Sequence, residues 1–215
     1  MNRYEENFKQ MIVDLNQTGR SVRGLAKEYG LSEATIYKWK NLYLPNQSTG
    51  LTGKEVADIT YIPTKKNSWC YLSSIMDLHT KKIISYTFSK RMTVDCVIQT
   101  LNKAKKHYPI PEGMILHTDL GSQYTAIDVE NWLKSNKIRH SYSLKGTPYD
   151  NAGIESFHAS LKKEEVYTTT YSDFEEANRS LFSYIEGFYN RNRIHSSIGY
   201  LTPQEFEDLS REEMA

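Results

Sequence analysis

Three acidic residues stand where their chemistry needs explaining. Asp58 lies inside Val56-Ala57-Asp58-Ile59-Thr60-Tyr61-Ile62, a run of strand formers. A carboxylate buried there without a partner is costly, which makes it a candidate ligand. Asp119 follows the apolar stretch Met114-Ile115-Leu116, at the C-terminal end of a short strand, where α/β sheets usually place their sites. Glu155 falls early in a helix that Asp150 or Asn151 could cap. On that helix Ile154, Phe157 and Leu161 form the core stripe, while Glu155, His158 or Ala159, and Lys162 share another face. Asp119-Leu120-Gly121 also fits an ordinary turn, and Glu155 an ordinary solvated helix residue. Two strand-associated aspartates and one helix glutamate, taken together, are the material of a metal-dependent site.

A second cluster lies near the N-terminus. Residues 22–41 fit helix-turn-helix spacing, with Ala26 where two helices cross closely and Gly30 where the turn needs a positive φ. Leu25, Tyr29, Leu31, Ile36 and Trp39 supply the locking apolar contacts. The third helix then exposes Glu33, Thr35, Tyr37, Lys38 and Lys40, side chains suited to a DNA groove and its phosphates. A plain three-helix bundle with a wet polar face is the alternative.

The elements that must position these residues follow from periodicity and punctuation. Helices are expected at about 5–17, from Ser21 to Tyr29-Gly30, and from Ser32 to about Leu42. Leu44–Gly50 is a seam of turn formers and reads as a linker. Beyond it, strands are expected at 56–63, 69–77, 82–89, 114–117 and 139–143, and helices at 93–108, 126–135, 151–166 and 173–191. Three strands in meander followed by alternating helix and strand describe a mixed sheet covered by helices: an α/β, RNase H-like fold behind a small all-α helix-turn-helix.

Composition narrows the class. The 215 residues are 39% hydrophobic and 25% charged, as in a soluble globular chain. No run approaches a membrane span, the N-terminus has no apolar signal region, and a cytosolic protein is expected. Cys70 and Cys96 cannot build a disulfide framework, and His140, His158 and His195 lack zinc-ligand spacing with them. Net charge is +1, but residues 51–165 carry 16 Lys+Arg against 12 Asp+Glu, while residues 166–215 carry 4 against 9. An acidic tail hides a mildly basic body, which favours a polyanionic partner.

The carboxylates also sit in recognisable blocks. Asp58–Ile62, His117-Thr118-Asp119-Leu120-Gly121-Ser122-Gln123-Tyr124-Thr125 and Asp150-Asn151-Ala152-Gly153-Ile154-Glu155-Ser156-Phe157 resemble the three signature blocks of DDE transposases, with 35 residues between Asp119 and Glu155 as in retroviral-integrase-like cores. Tyr189–His195 and Gly199–Pro203 are similar to that family's closing motif. The nearest resemblance is to the IS-three family of bacterial insertion-sequence transposases, whose first reading frame encodes a helix-turn-helix and whose second encodes the integrase core. The leucine-zipper helix and further DNA-binding segment usual between them are missing, since Thr52–Ala57 runs straight into Asp58. The chain therefore resembles a fusion of the two frames with an internal deletion.

The resemblance implies metal-dependent strand cleavage and strand transfer at element ends. Asp58, Asp119 and Glu155 would be catalytic residues and ligands of two Mg²⁺ or Mn²⁺ ions, oxygen donors being selective against zinc. Lys162 would reach a phosphate near the cut, and Lys145 and Gly146 would lie beside DNA or in a solvated loop. His117 would be a DNA or metal neighbour or a hydrogen-bonded strand-end histidine, and Tyr184, Tyr189 and Tyr200 base stackers or core. The expected domains are a helix-turn-helix module at 1–44, a linker at 45–55 and a catalytic core at 56–210. Double-stranded DNA is the expected partner, with a homo-oligomer when active, no membrane, and a bacterial cytoplasmic, nucleoid-associated location. The rival expectations are a catalytically idle remnant that regulates by binding DNA, and a stand-alone RNase H-like nuclease.

Overall fold

A computed structural model describes residues 6–17, 20–33, 35, 36, 39, 54–111, 113–143 and 151–212. The chain divides into two compact units, residues 1–46 and 47–215. In the first, α1 (Glu6–Gln17) and α2 (Val22–Tyr29) pack through Ile12, Val13, Leu25 and Ala26, joined by Leu31, Ile36 and Trp39. The Ser21 hydroxyl accepts from the Gly24 N–H at 3.0 Å and so caps α2. Gly30 ends the helix at φ +63°, a conformation glycine reaches without steric cost. Glu33, Thr35, Ile36 and Trp39 are helical, as the helix-turn-helix spacing expects. Tyr37, Lys38, Lys40, Lys145, Gly146, Asp150 and the seam 44–50 lie outside the described residues.

The second unit is built on a five-stranded sheet in the order β3-β2-β1-β4-β5. Strands β1 (Lys54–Thr64), β2 (Ser68–Asp77) and β3 (Ile83–Ser89) form an antiparallel meander. Beyond helix α3 (Val94–His107), strand β4 (Ile115–Thr118) pairs parallel to β1, and after α4 (Ile127–Ser135), β5 (Arg139–Tyr142) pairs parallel to β4. Alternation along the strands splits the core into two layers. Val56, Ile62, Leu72 and Met76 pack under α5 (Ala152–Leu161) and α6 (Phe174–Phe182), while Ala57, Ile75, Ile84 and Leu116 pack under α3 and α4.

Three features depart from the sequence expectations. The long helices at 151–166 and 173–191 both end in π-helical turns, Lys162–Val166 and Ser183–Tyr189. There the Tyr167 and Asn190 N–H groups reach back five residues to the Lys162 and Ile185 carbonyls, a widening that side-chain periodicity does not encode. A further helix, α7 (Pro203–Glu212), closes the chain. It starts on a capping box in which the Thr202 N–H donates to Glu205 and the Glu205 N–H to the Thr202 hydroxyl. Asn151 precedes α5 but makes no side-chain cap; its Oδ1 is buried without a hydrogen bond, and only its carbonyl accepts from the Glu155 N–H. Among the described residues no helix is long and apolar enough to cross a membrane.

Candidate active site

Strand register brings the two aspartates together. β4 ends with Thr118 beside Ala57 of β1, so Asp58 and Asp119 are the next residues along two adjacent parallel strands. Their charges converge on the hydroxyl of Tyr124, which is almost fully buried. Burial first, then Asp58 and Asp119, push that phenol well above its usual pKa. Its hydroxyl lies near Ser73 without a hydrogen bond of ordinary geometry.

Each aspartate has a local holder. Asp58 Oδ1 accepts from the Ile59 N–H at 2.8 Å, and Oδ2 lies 3.3 Å from Nδ1 of His158 on α5. Asp119 Oδ1 accepts from the Gly121 N–H at 2.9 Å, closing the turn after β4. A Cβ on Gly121 would stand 2.8 Å from that oxygen, so the turn needs glycine to leave the carboxylate its place. The carbonyl of Asp119 accepts from the Thr118 hydroxyl at 2.8 Å. Thr118 in turn meets His140 at 3.0 Å, and Glu130 takes hydrogen bonds from His140 (2.7 Å) and Tyr142. Those bonds hold the Glu130 carboxyl below its ordinary pKa, while burial and then the bond to Glu130 raise Tyr142 to about 12. His117 lies between Ser141 and Ser143 at 3.0 and 2.9 Å, as a hydrogen-bonded strand-end histidine does.

Glu155 is exposed on α5, three residues before His158 and hence on the same helix face. The contact of the buried His158 with Asp58 sets the turn of α5 that follows Glu155 against the middle of β1. Lys162 is half-buried at the end of α5, seven residues beyond Glu155. Among the described residues no group of three or more His, Cys, Asp or Glu is already gathered to hold a metal. The two aspartates are tied to protein donors through Oδ1, and Asp58 Oδ2 faces His158. The donor set is nonetheless all oxygen, the chemistry of Mg²⁺ and Mn²⁺ sites. Cys70 and Cys96 are buried free thiols. Tyr184 and Tyr189 are core residues, whereas Tyr200 is exposed.

On the first unit, Glu33 is exposed and Thr35 half-buried. The Thr35 hydroxyl sits 2.7 Å from that of Ser32, whose oxygen also caps the Thr35 N–H. The residues not anticipated from sequence are Ser74, Tyr124, Thr118 and Glu130. Only the Glu155–His158 spacing hinted at the helix contact.

A family model described as Transposase matches residues 1–61, and two described as Integrase core domain match 52–148 and 136–203. Transposase InsF of insertion sequence IS3A from Escherichia coli (strain K12) is 38% identical over 212 residues, covering 95% of this chain and 72% of the relative. The chain belongs to the IS-three family of insertion-sequence transposases. The family's transposase for IS904 from Lactococcus lactis subsp. lactis (strain IL1403) is 40% identical over 156 residues, 71% of this chain. Of that relative the match covers 60%, less than two thirds of its length. Among solved structures, the catalytic core domain of BIV integrase aligns with TM-score 0.55 at 19% identity, over 75% of this chain and 97% of its own. The HTLV-2 integrase catalytic core in complex with magnesium aligns with TM-score 0.55 at 16% identity, over 72% and 95%. These likenesses establish that the transposase core has the integrase, RNase H-like fold.

Proposed function

We propose that this transposase chain cuts DNA at the ends of an insertion element and joins the freed ends to target DNA, with Asp58, Asp119 and Glu155 as its catalytic carboxylates. The observation that supports the reading is the β1–β4 register, in which Ala57 pairs with Thr118 so that Asp58 and Asp119 come next on neighbouring strands, while His158, three residues after Glu155 on α5, meets Asp58. Asp58, Asp119 and Glu155 would hold two Mg²⁺ or Mn²⁺ ions, which when bound activate an attacking oxygen and neutralise phosphoryl charge. Asp58, next to Asp119 across the β1–β4 register, would be a ligand whose loss weakens metal binding most. Lys162, and Lys145 before α5, steady the DNA backbone by charge. The first unit, whose expected linker at 45–55 is shortened at its far end because β1 already begins at Lys54, reads the duplex with Glu33, Thr35, Tyr37, Lys38 and Lys40. Joining two ends requires a second copy, and without a zipper segment that copy is recruited weakly.

The test is cleavage of labelled element-end DNA with Mg²⁺ or Mn²⁺. Metal-dependent nicking at high protein concentration is expected, with poor paired-end strand transfer. Asp119→Asn and Glu155→Gln should each abolish nicking in a folded protein, because they remove ligand charge at nearly constant size. DNA binding without cleavage under either ion would contradict the catalytic reading and leave a binding-only regulator.

A further inference from the structure

We infer that His158 is a positioning residue, fixing the Asp58 carboxylate and the Glu155 helix in one mutual geometry. This rests on the active-site reading above. The imidazole is 6% exposed, with Nε2 2.9 Å from Ser74 Oγ and Nδ1 3.3 Å from Asp58 Oδ2. Ser74 is directly opposite Asp58 across the β1–β2 ladder and is fully buried. A carboxylate only accepts, so Nδ1 carries the hydrogen that points at Asp58; in the neutral ring Nε2 then takes the Ser74 hydroxyl hydrogen. Three elements, β1, β2 and α5, are thereby tied through one ring. The Ile59 N–H holds the other Asp58 oxygen, so both are oriented.

The connectivity is that of a Ser-His-Asp hydrolase triad, but the surroundings are not. A nucleophilic hydroxyl must be open to an incoming carbonyl. Ser74 is 0% exposed in a central strand, so orientation is the role open to the chain. Glu155 precedes His158 by three residues, so turning or sliding α5 to displace Glu155 would break both ring contacts. The start of the helix is pinned as well: a Cβ on Gly153 would meet Leu78 Cδ2 at 3.1 Å and Met76 Sδ at 3.5 Å.

Packing and positioning separate by substitution. In His158→Asn the amide nitrogen stands in for Nδ1 and keeps the Asp58 contact. In His158→Gln the amide reaches the Nε2 position and keeps only Ser74. The readout is Mn²⁺ affinity, from free and bound Mn²⁺ by electron paramagnetic resonance, alongside melting temperature. Wild type should bind Mn²⁺ and Asp58→Asn should not. His158→Ala and His158→Gln should lose about tenfold in affinity, the usual scale for ligand-orienting partners, while His158→Asn stays within about threefold of wild type. A purely structural role would lower the melting points of Asn and Gln alike without separating their affinities. If His158→Ala fails to fold, the Asn–Gln pair still decides. Equal affinities in that pair, or wild-type affinity in all His158 variants, would overturn the inference while Asp58→Asn still upholds the active site. No Mn²⁺ binding that depends on Asp58 would overturn both.

Discussion

At the β3 edge, polar side chains are matched donor to acceptor. Asn190 accepts from the Ile83 N–H and donates to the Ile83 carbonyl, both at 3.0 Å, covering a strand edge that has no neighbour. Lys82 reaches Glu207 at 2.5 Å and Gln204 at 2.7 Å, docking α7. Arg193 grips Glu164 through Nε and Nη2, and Tyr184 donates to the same carboxylate. Where β4 stops beside the middle of β1 the arrangement reverses. Asp119 and Glu155 have no Lys or Arg partner among the described residues, and Asp58 has only a histidine. The closing motif is therefore an electrostatic lock, whereas the two aspartates are held by backbone N–H groups and a histidine rather than by Lys or Arg.

Substitutions can break either half of that contrast. Lys82→Ala strips the buried Glu207, itself 1% exposed, of its nearest cation; about 3–5 kcal/mol of stability should be lost in chemical denaturation, softened to the extent that Arg211 takes over. Glu55 tests a third way to keep a carboxyl. It is fully buried in β1 opposite Asp77, and burial, aided by the Asp77 charge, raises its pKa to about 8. The folded state thus holds a proton that the unfolded state releases above about pH 4.5, so stability should fall as pH rises from there to about 8. Glu55→Gln should remove that slope, gaining roughly 4 kcal/mol at pH 8 and little near pH 4.5. Asn190→Ala orphans the edge-facing groups of Ile83 and should cost about 2 kcal/mol without changing nicking per folded molecule. Gly121→Ala reverses that pattern: melting should move by only a few degrees, while nicking drops about tenfold as the Cβ displaces Asp119, a barrier change of about 1.4 kcal/mol.

The carboxylate half of this contrast was legible in sequence, whereas the β3-edge half depended on long-range contacts. Asp58 stood out because β-branched neighbours define its strand, and Asp119 because a strand of four residues ends just before it. The helix face of Glu155 followed from its spacing to Ile154, Phe157 and Leu161. The contact of His158 with Asp58 spans β1 and α5, and its anchor Ser74 lies 84 positions away, a pairing that no local period encodes. Asn151 looked like a cap, yet its side chain turns inward; Asp-Asn sequences signal a helix start without fixing which oxygen does the capping. Helix α7 was signalled by Thr202, Pro203 and Glu205, whose capping-box spacing was overlooked within the closing motif. Tyr189–His195 read as a motif, but that it seals an edge strand through Asn190 required the sheet order.

The most direct test is a Mn²⁺ titration of the melting temperature, wild type against Asp58→Asn. Two aspartates on neighbouring strands, with no Lys or Arg partner among the described residues, should repel one another, so wild type should gain several degrees as Mn²⁺ binds the folded state alone. Asp58→Asn, relieved of one charge, should melt no lower than wild type without metal and should not respond to the ion. An Asp58→Asn protein whose melting point climbs with Mn²⁺ as steeply as wild type would place the cation elsewhere and contradict a carboxylate site where the end of β4 meets the middle of β1.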